Sequence, residues 1–167
     1  MTTTEIYLRD AAATEAAGAA LAPRLVGGMI VTLSGDLGAG KTTFVRGLLR
    51  ALGWTGPVKS PTYALVEYYP LSRLYLYHFD FYRFNDSEEW ETAGLADCFN
   101  AAAACLVEWP ERVAGLLPPA DLALALIHPP DTAGDGRRCA LEARTEAGER
   151  CLSAIVAAIG QDKPRVR

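Results

Sequence analysis

The sequence predicts one α/β domain, a P-loop NTPase-like three-layer sandwich with a mixed central sheet, and three observations predict it. A short apolar, β-branched run, Met29–Leu33, leads into a glycine-rich turn, Gly35–Gly40, and then into a segment of helical apolar spacing, Lys41–Leu52. A second wholly apolar run, Ala102–Val107, has the length and content of another buried strand. Strand-like and helix-like segments interleave with no repeat and no low-complexity linker, so a single domain is expected over residues 1–167. That length suffices for one full core.

Asp10–Leu25 reads as the first element, an alanine-favoured helix that Asp10 or Thr14 would cap and Gly27-Gly28 would end. After the strand Met29–Leu33 and the glycine turn, the helix Lys41–Leu52 carries Phe44, Val45, Leu48, Leu49 and Leu52 on one side and stops at Gly53. Gly56–Thr62 is a loop punctuated by Pro57 and Pro61. Tyr63–Tyr69 and Leu74–Phe79 read as a hairpin turning at Pro70–Arg73. Ser87–Gly94 is a short helix, with Ser87 as cap and Glu88 and Glu89 in the first turn. Ala120–Ile127 and Arg138–Thr145 are two more strands joined by the turn-rich Pro129–Gly136, and Gly148–Ile159 is a closing helix. The aromatic stretch from Tyr68 to Phe84 is expected to form sheet core and rim rather than a platform for nucleic-acid bases, because alternate strand residues face opposite sides.

Charge narrows the function classes. The net charge is −4, which argues against a protein that grips nucleic acid by its own field. No basic n-region precedes an apolar core at the N-terminus, and Glu15, Pro23 and Arg24 interrupt the alanine-rich Ala11–Leu25, so a cytoplasmic protein without a membrane span is expected. Cys98, Cys105, Cys139 and Cys151 form no CxxC pair and are expected as free thiols.

Gly35-Asp36-Leu37-Gly38-Ala39-Gly40-Lys41-Thr42 satisfies G-x-x-x-x-G-K-[ST] in full, between a strand and a helix as the chemistry requires. Glycines allow successive backbone N–H groups to converge on an anion, and the helix N-terminus adds unsatisfied donors. Lys41 supplies a point charge for β and γ phosphates, Thr42 a hydroxyl for magnesium, and Thr43 a further phosphate contact. A plain glycine turn has no need of Lys-Thr at the helix start. Magnesium also calls for a carboxylate at the end of a neighbouring strand. Glu108 follows the run Ala102–Val107 directly, and Asp80 follows Leu74–Phe79 in the same manner. Ser60-Pro61-Thr62 offers hydroxyls in a loop that would sense a γ-phosphate. The competing class is a P-loop small-metabolite kinase, for which Arg137-Arg138 would be the lid-like candidate. A regulatory GTPase is disfavoured, since no N/T-K-x-D motif occurs.

Over about residues 10–160 the chain resembles the bacterial TsaE (formerly YjeE) family of tRNA threonylcarbamoyladenosine biosynthesis ATPases. The resemblance is carried by LSGDLGAGKTTFVRGLLRALG at Leu33–Gly53, VKSPTYALVEYY at Val58–Tyr69 and YHFDFYRF at Tyr77–Phe84. It continues in EEWETAGLADCF at Glu88–Phe99, CLVEWPERV at Cys105–Val113 and LLPPADL at Leu116–Leu122. It implies an ATP hydrolase that assists the TsaB–TsaD pair in placing threonylcarbamoyl on adenosine 37 of tRNAs reading ANN codons, without itself transferring the group. By motif, it implies that Gly35, Leu37, Gly38, Ala39, Gly40, Lys41, Thr42 and Thr43 bind ATP phosphates. Thr42 and Glu108 would bind Mg2+, Asp80 would lie at the nucleotide, and Trp109 would sit beside the site. Lys41, Asp80 and Glu108 form the implied catalytic set. The adenine would be contacted near Asp10 and Ala11 and near Gly136 and Arg137, where the long Pro129–Gly136 departs from the family pattern. Contact with tRNA is implied only through the complex.

Overall fold

The computed structural model describes residues 1–129 and 134–160. Residues 130–133 of the expected turn-rich connection, and residues 161–167 of the expected domain, lie outside the described residues. The elements run β1 (Thr2–Leu8), α1 (Ala11–Leu21), β2 (Ile30–Ser34), α2 (Lys41–Ala51), β3 (Val66–Pro70), β4 (Tyr75–Asp80), α3 (Ser87–Thr92), β5 (Ala103–Glu108), β6 (Leu122–Ile127), β7 (Arg137–Ala143) and α4 (Glu146–Ile159). The strands form one sheet in the order β1-β7-β6-β2-β5-β4-β3. β2 pairs parallel with β5 and β6, and β4 with β5, while β1–β7, β6–β7 and β3–β4 are antiparallel. The sheet is therefore mixed, as expected.

Period-two alternation divides the buried residues between two cores. Val31, Leu33, Leu76, Ala104, Leu106, Leu124 and Leu141 face α1, α2 and α4. Ile30, Phe79, Cys105 and Val107 face the other side, with Phe81, Phe84, Trp90 and Leu95. The aromatic stretch divides as read: Phe79, Phe81 and Phe84 are buried, while Tyr68 and Tyr75 are half-exposed and pack with tilted rings on the rim. All four cysteines are free thiols, and burial pushes those of Cys105 and Cys139 up to about 12.

Several boundaries differ from expectation. The first element is a strand, not a helix: Thr2–Leu8 pairs along its length with β7, yet only Ile6 and Leu8 of its seven residues are buried, so its apolar signal is thin. Asp10 caps α1, accepting from Ala13 N, and the helix ends at Leu21. The first hairpin strand starts at Val66, because Leu65 has φ 66 and its N–H bonds Pro61 O in a turn. Asp86, not Ser87, caps α3, accepting from Glu89 N; Ser87 is the first helical residue.

The α1–α2 crossing fixes the helix that follows the phosphate loop. A Cβ on Gly18 would lie 2.0 Å from Phe44 O, and one on Gly47 would lie 2.0 Å from Glu15 O. The two backbones thus meet through glycines that tolerate no side chain. With Phe44, Leu48 and Leu49 fully buried, α2 is held against both α1 and the sheet.

Candidate phosphate and cation site

β2, β5 and β4 run parallel, so their carboxyl ends share one edge of the sheet, and the candidate residues gather there. The loop leaving β2 supplies Gly35–Gly40. Gly35 has φ 138, and a Cβ on it would stand 2.4 Å from Leu126 O, so β6 presses directly on the loop. Ala39 is buried, whereas Leu37 is 65% exposed at the loop tip. Lys41, 4% exposed, opens α2, and its Nζ donates to Gly35 O at 2.6 Å and Asp36 O at 2.8 Å. The same ammonium lies 4.3 Å from the Trp109 ring centroid. Burial pushes the Lys41 pKa below its ordinary value, against the opposing fields of Glu108, Asp80, Glu111 and Asp36.

Glu108 is the last residue of β5 and Asp80 the last of β4, and they are register partners. Both are buried. The Thr42 hydroxyl donates to Glu108 Oε1 at 2.9 Å. Asp80 Oδ1 accepts from Tyr82 N at 2.8 Å, while its Oδ2 receives the Ser60 hydroxyl and, at 3.4 Å, that of Thr62. The Ser60–Thr62 loop is thereby tied to a β4 carboxylate. Trp109 follows Glu108 with φ 59, a left-handed backbone uncommon for a bulky residue, and its N–H bonds Leu33 O across the strand ends. Leu37 to Thr43, Ser60, Thr62, Asp80, Glu108 and Trp109 line one depression of about 230 Å³. A larger cavity of about 790 Å³ lies elsewhere, floored by Thr32, Ala123, Ala125 and Ala140, and contains no phosphate-loop residue. The chemistry of the donors decides between them, and it selects the smaller site.

The donor set suits a hard cation. A hydroxyl has one proton and two lone pairs, so Thr42 can donate to Glu108 and still offer oxygen to magnesium. Glu108 and Asp80 add carboxylate oxygens, and the loop and Lys41 add the donors that polyphosphate requires.

The contacts of two residues escaped the sequence reading. His78, fully buried, places Nε2 2.9 Å from Glu108 Oε1. Its signal was the strand period, which puts His78 of the expected strand on one face with Asp80, the residue that follows that strand. Arg137, expected near adenine or as a lid, donates from Nε to Ala39 O at 3.1 Å and from Nη2 to Gly38 O at 3.2 Å. The first residue of β7 is thus fastened to the outer side of the phosphate loop. Ala11 lies one turn before Thr14, whose Cγ2 would stand 3.5 Å from a Cβ on Gly40. Gly136 closes on the Tyr7 ring. The starts of α1 and β7, the two expected adenine-side segments, therefore flank the phosphate loop.

Among proteins of known name and structure, the chain is 47% identical over 127 residues to the tRNA threonylcarbamoyladenosine biosynthesis protein TsaE of Haemophilus influenzae, covering 76% of this chain and 78% of that one. It is 44% identical over 113 residues to the protein of the same name from Synechocystis, covering 65% of this chain and 71% of that one. Its fold superposes on the crystal structure of Bacillus subtilis YdiB with a TM-score of 0.74, at 28% identity, over 93% of this chain and 95% of the other. A family model described as "Threonylcarbamoyl adenosine biosynthesis protein TsaE" matches residues 8–138, which include every side chain of the depression. The chain belongs to the TsaE family.

Proposed function

We propose that this protein is the ATPase subunit that works with the TsaB–TsaD pair in forming the threonylcarbamoyl group on adenosine 37 of tRNAs reading ANN codons. Membership in the TsaE family supports the place in tRNA threonylcarbamoyladenosine biosynthesis. The observation that carries the ATPase reading is one depression in which the phosphate loop, Lys41, Thr42, Asp80 and Glu108 converge. The protein binds Mg-ATP there, hydrolyses it, and leaves group transfer to the partners. It acts in the cytoplasm; among the described residues no helix is long and apolar enough to cross a membrane.

The residues divide the work by position. The backbone N–H groups of Gly38–Thr43 hold the phosphates, and Lys41 carries its charge to where negative charge grows in phosphoryl transfer. Thr42 and Glu108 hold magnesium, which neutralises phosphate charge when bound. Asp80 orients the attacking water and, through Ser60 and Thr62, couples the site to the 60–62 loop. That loop reports the γ-phosphate to the partner surface.

Interferometry with TsaB–TsaD in the presence of an ATP analogue, ADP or no nucleotide tests the role. Affinity is expected to depend on nucleotide state, and bare tRNA is expected not to bind at physiological salt, since the chain carries a net charge of −4. Equal affinity in all three states would defeat the switch, and tight binding of bare tRNA would defeat the charge argument.

A further inference from the structure

Glu108 is held from two sides, and one of them is not explained by nucleotide chemistry alone. Thr42 Oγ1 donates to Oε1 from α2 at 2.9 Å, and His78 Nε2 meets the same oxygen from β4 at 2.9 Å. His78 is 0% exposed and Glu108 is 2% exposed. A carboxylate oxygen that already accepts from Thr42 accepts here too, so Nε2 is the donating nitrogen of His78. Among the described residues Nδ1 has no hydrogen-bond partner, although it is buried. A buried polar nitrogen left unpaired is unfavourable, and leucine occupies the neighbouring inward positions Leu76 and Leu106 without that cost. Packing alone therefore does not account for a histidine at this position. The one bond it makes does.

We propose that His78 is a positioning residue for the cation site: its Nε2–H fixes the Glu108 carboxylate so that Oε1 faces Thr42 and keeps the Thr42 hydroxyl proton off the side where magnesium binds. The register permits this. β4 and β5 pair Asp80 with Glu108 and His78 with Leu106, so His78 sits diagonally behind Glu108 on the same face of the sheet. Asp80 and His78 thus divide between them the end and the interior of one strand face. The inference rests on the Mg-nucleotide reading of the site. Its prediction is a change in magnesium response rather than in phosphate grip, because among the described residues the side-chain hydrogen bond of His78 goes to Glu108 and not to the phosphate loop.

The test is a magnesium titration of ADP binding by calorimetry, with a parallel measurement in EDTA, on wild type, His78→Leu and His78→Gln. Loss of a second-layer partner of a metal ligand typically costs about 10- to 100-fold in metal affinity. The magnesium midpoint of His78→Leu is expected to rise by about that factor, with EDTA affinity within about twofold of wild type. His78→Gln retains an N–H donor and is expected to recover most of the shift. A His78→Leu midpoint unchanged from wild type, or equal shifts in the two variants, would overturn the proposal. Should wild type show no magnesium dependence at all, the Mg-nucleotide reading fails. His78 is then judged by its own signal, as it is if His78→Leu does not fold. Nitrogen-15 spectra of wild type and Glu108→Gln are expected to show His78 as the Nε2–H tautomer, with a resonance that moves in the variant. An Nδ1–H tautomer, or a resonance indifferent to Glu108→Gln, would refute the inference.

Discussion

Replacing Lys41 by methionine separates catalysis from folding. The substitution keeps chain length and apolar stem but removes the only ammonium among the described residues that line the depression. Two charge-assisted bonds, to Gly35 O and Asp36 O, are lost. Each such bond contributes about 1.5–3 kcal/mol. Against this stands the desolvation of a buried ammonium, whose direction is visible in the lowered pKa of Lys41 despite four nearby carboxylates. The two effects oppose, and the net loss of stability is expected to stay within about 1–2 kcal/mol. Turnover is expected to fall by about 10²- to 10³-fold, the usual consequence of removing one preorganised donor to developing charge. Phosphate release at saturating Mg-ATP, with a thermal melt of the same sample, reads both quantities. Near-normal turnover in folded Lys41→Met would refute the role of the loop; collapse of the fold would refute the stability reasoning. The pH dependence has a definite sign. In nucleotide-free protein the folded state releases the Lys41 proton below the ordinary 10.5, so wild-type stability rises relative to Lys41→Met as pH climbs from the depressed value towards 10.5.

Glu108→Ala is expected to raise the magnesium midpoint of nucleotide binding, and Asp80→Ala to lower turnover more than nucleotide affinity; magnesium titrations and steady-state rates on both variants check this, and an unchanged midpoint for Glu108→Ala would remove it from the cation site. ATP and ADP are expected to bind in preference to GTP and GDP, because no guanine-reading N/T-K-x-D occurs, and equal affinities in competition would refute the preference. Gly47→Ala places a methyl 2.0 Å from Glu15 O and is expected to cost about 1–3 kcal/mol by forcing α1 and α2 apart, measurable by denaturant unfolding.

The parts of the site legible in the sequence were those whose chemistry is local. A strand, a glycine turn and Lys-Thr at a helix start are contiguous, and an acid at the end of an apolar run announces itself; hence Lys41, Thr42, Asp80 and Glu108 converge as read. Contacts made across the sheet were not legible. His78 reaches Glu108 over thirty residues of sequence, and Arg137 reaches Gly38 and Ala39 from the far strand β7, so neither bond has a local signature. The strand β1 escaped because an edge strand with one half-covered face needs few apolar residues. Asp86 displaced Ser87 as the α3 cap because either side chain can accept from the third N–H onward, and only the backbone entry angle, φ −151 at Asp86, chooses between adjacent candidates.

The fate of the γ-phosphate tests the central claim most directly. With γ-labelled ATP, magnesium, TsaB, TsaD and substrate tRNA, the label is expected to appear as inorganic phosphate, and to remain on ATP when Lys41→Met replaces the wild-type protein. Appearance of the label on a small metabolite would make the protein a kinase, and equal phosphate release by Lys41→Met would place hydrolysis outside this site; either result contradicts the account.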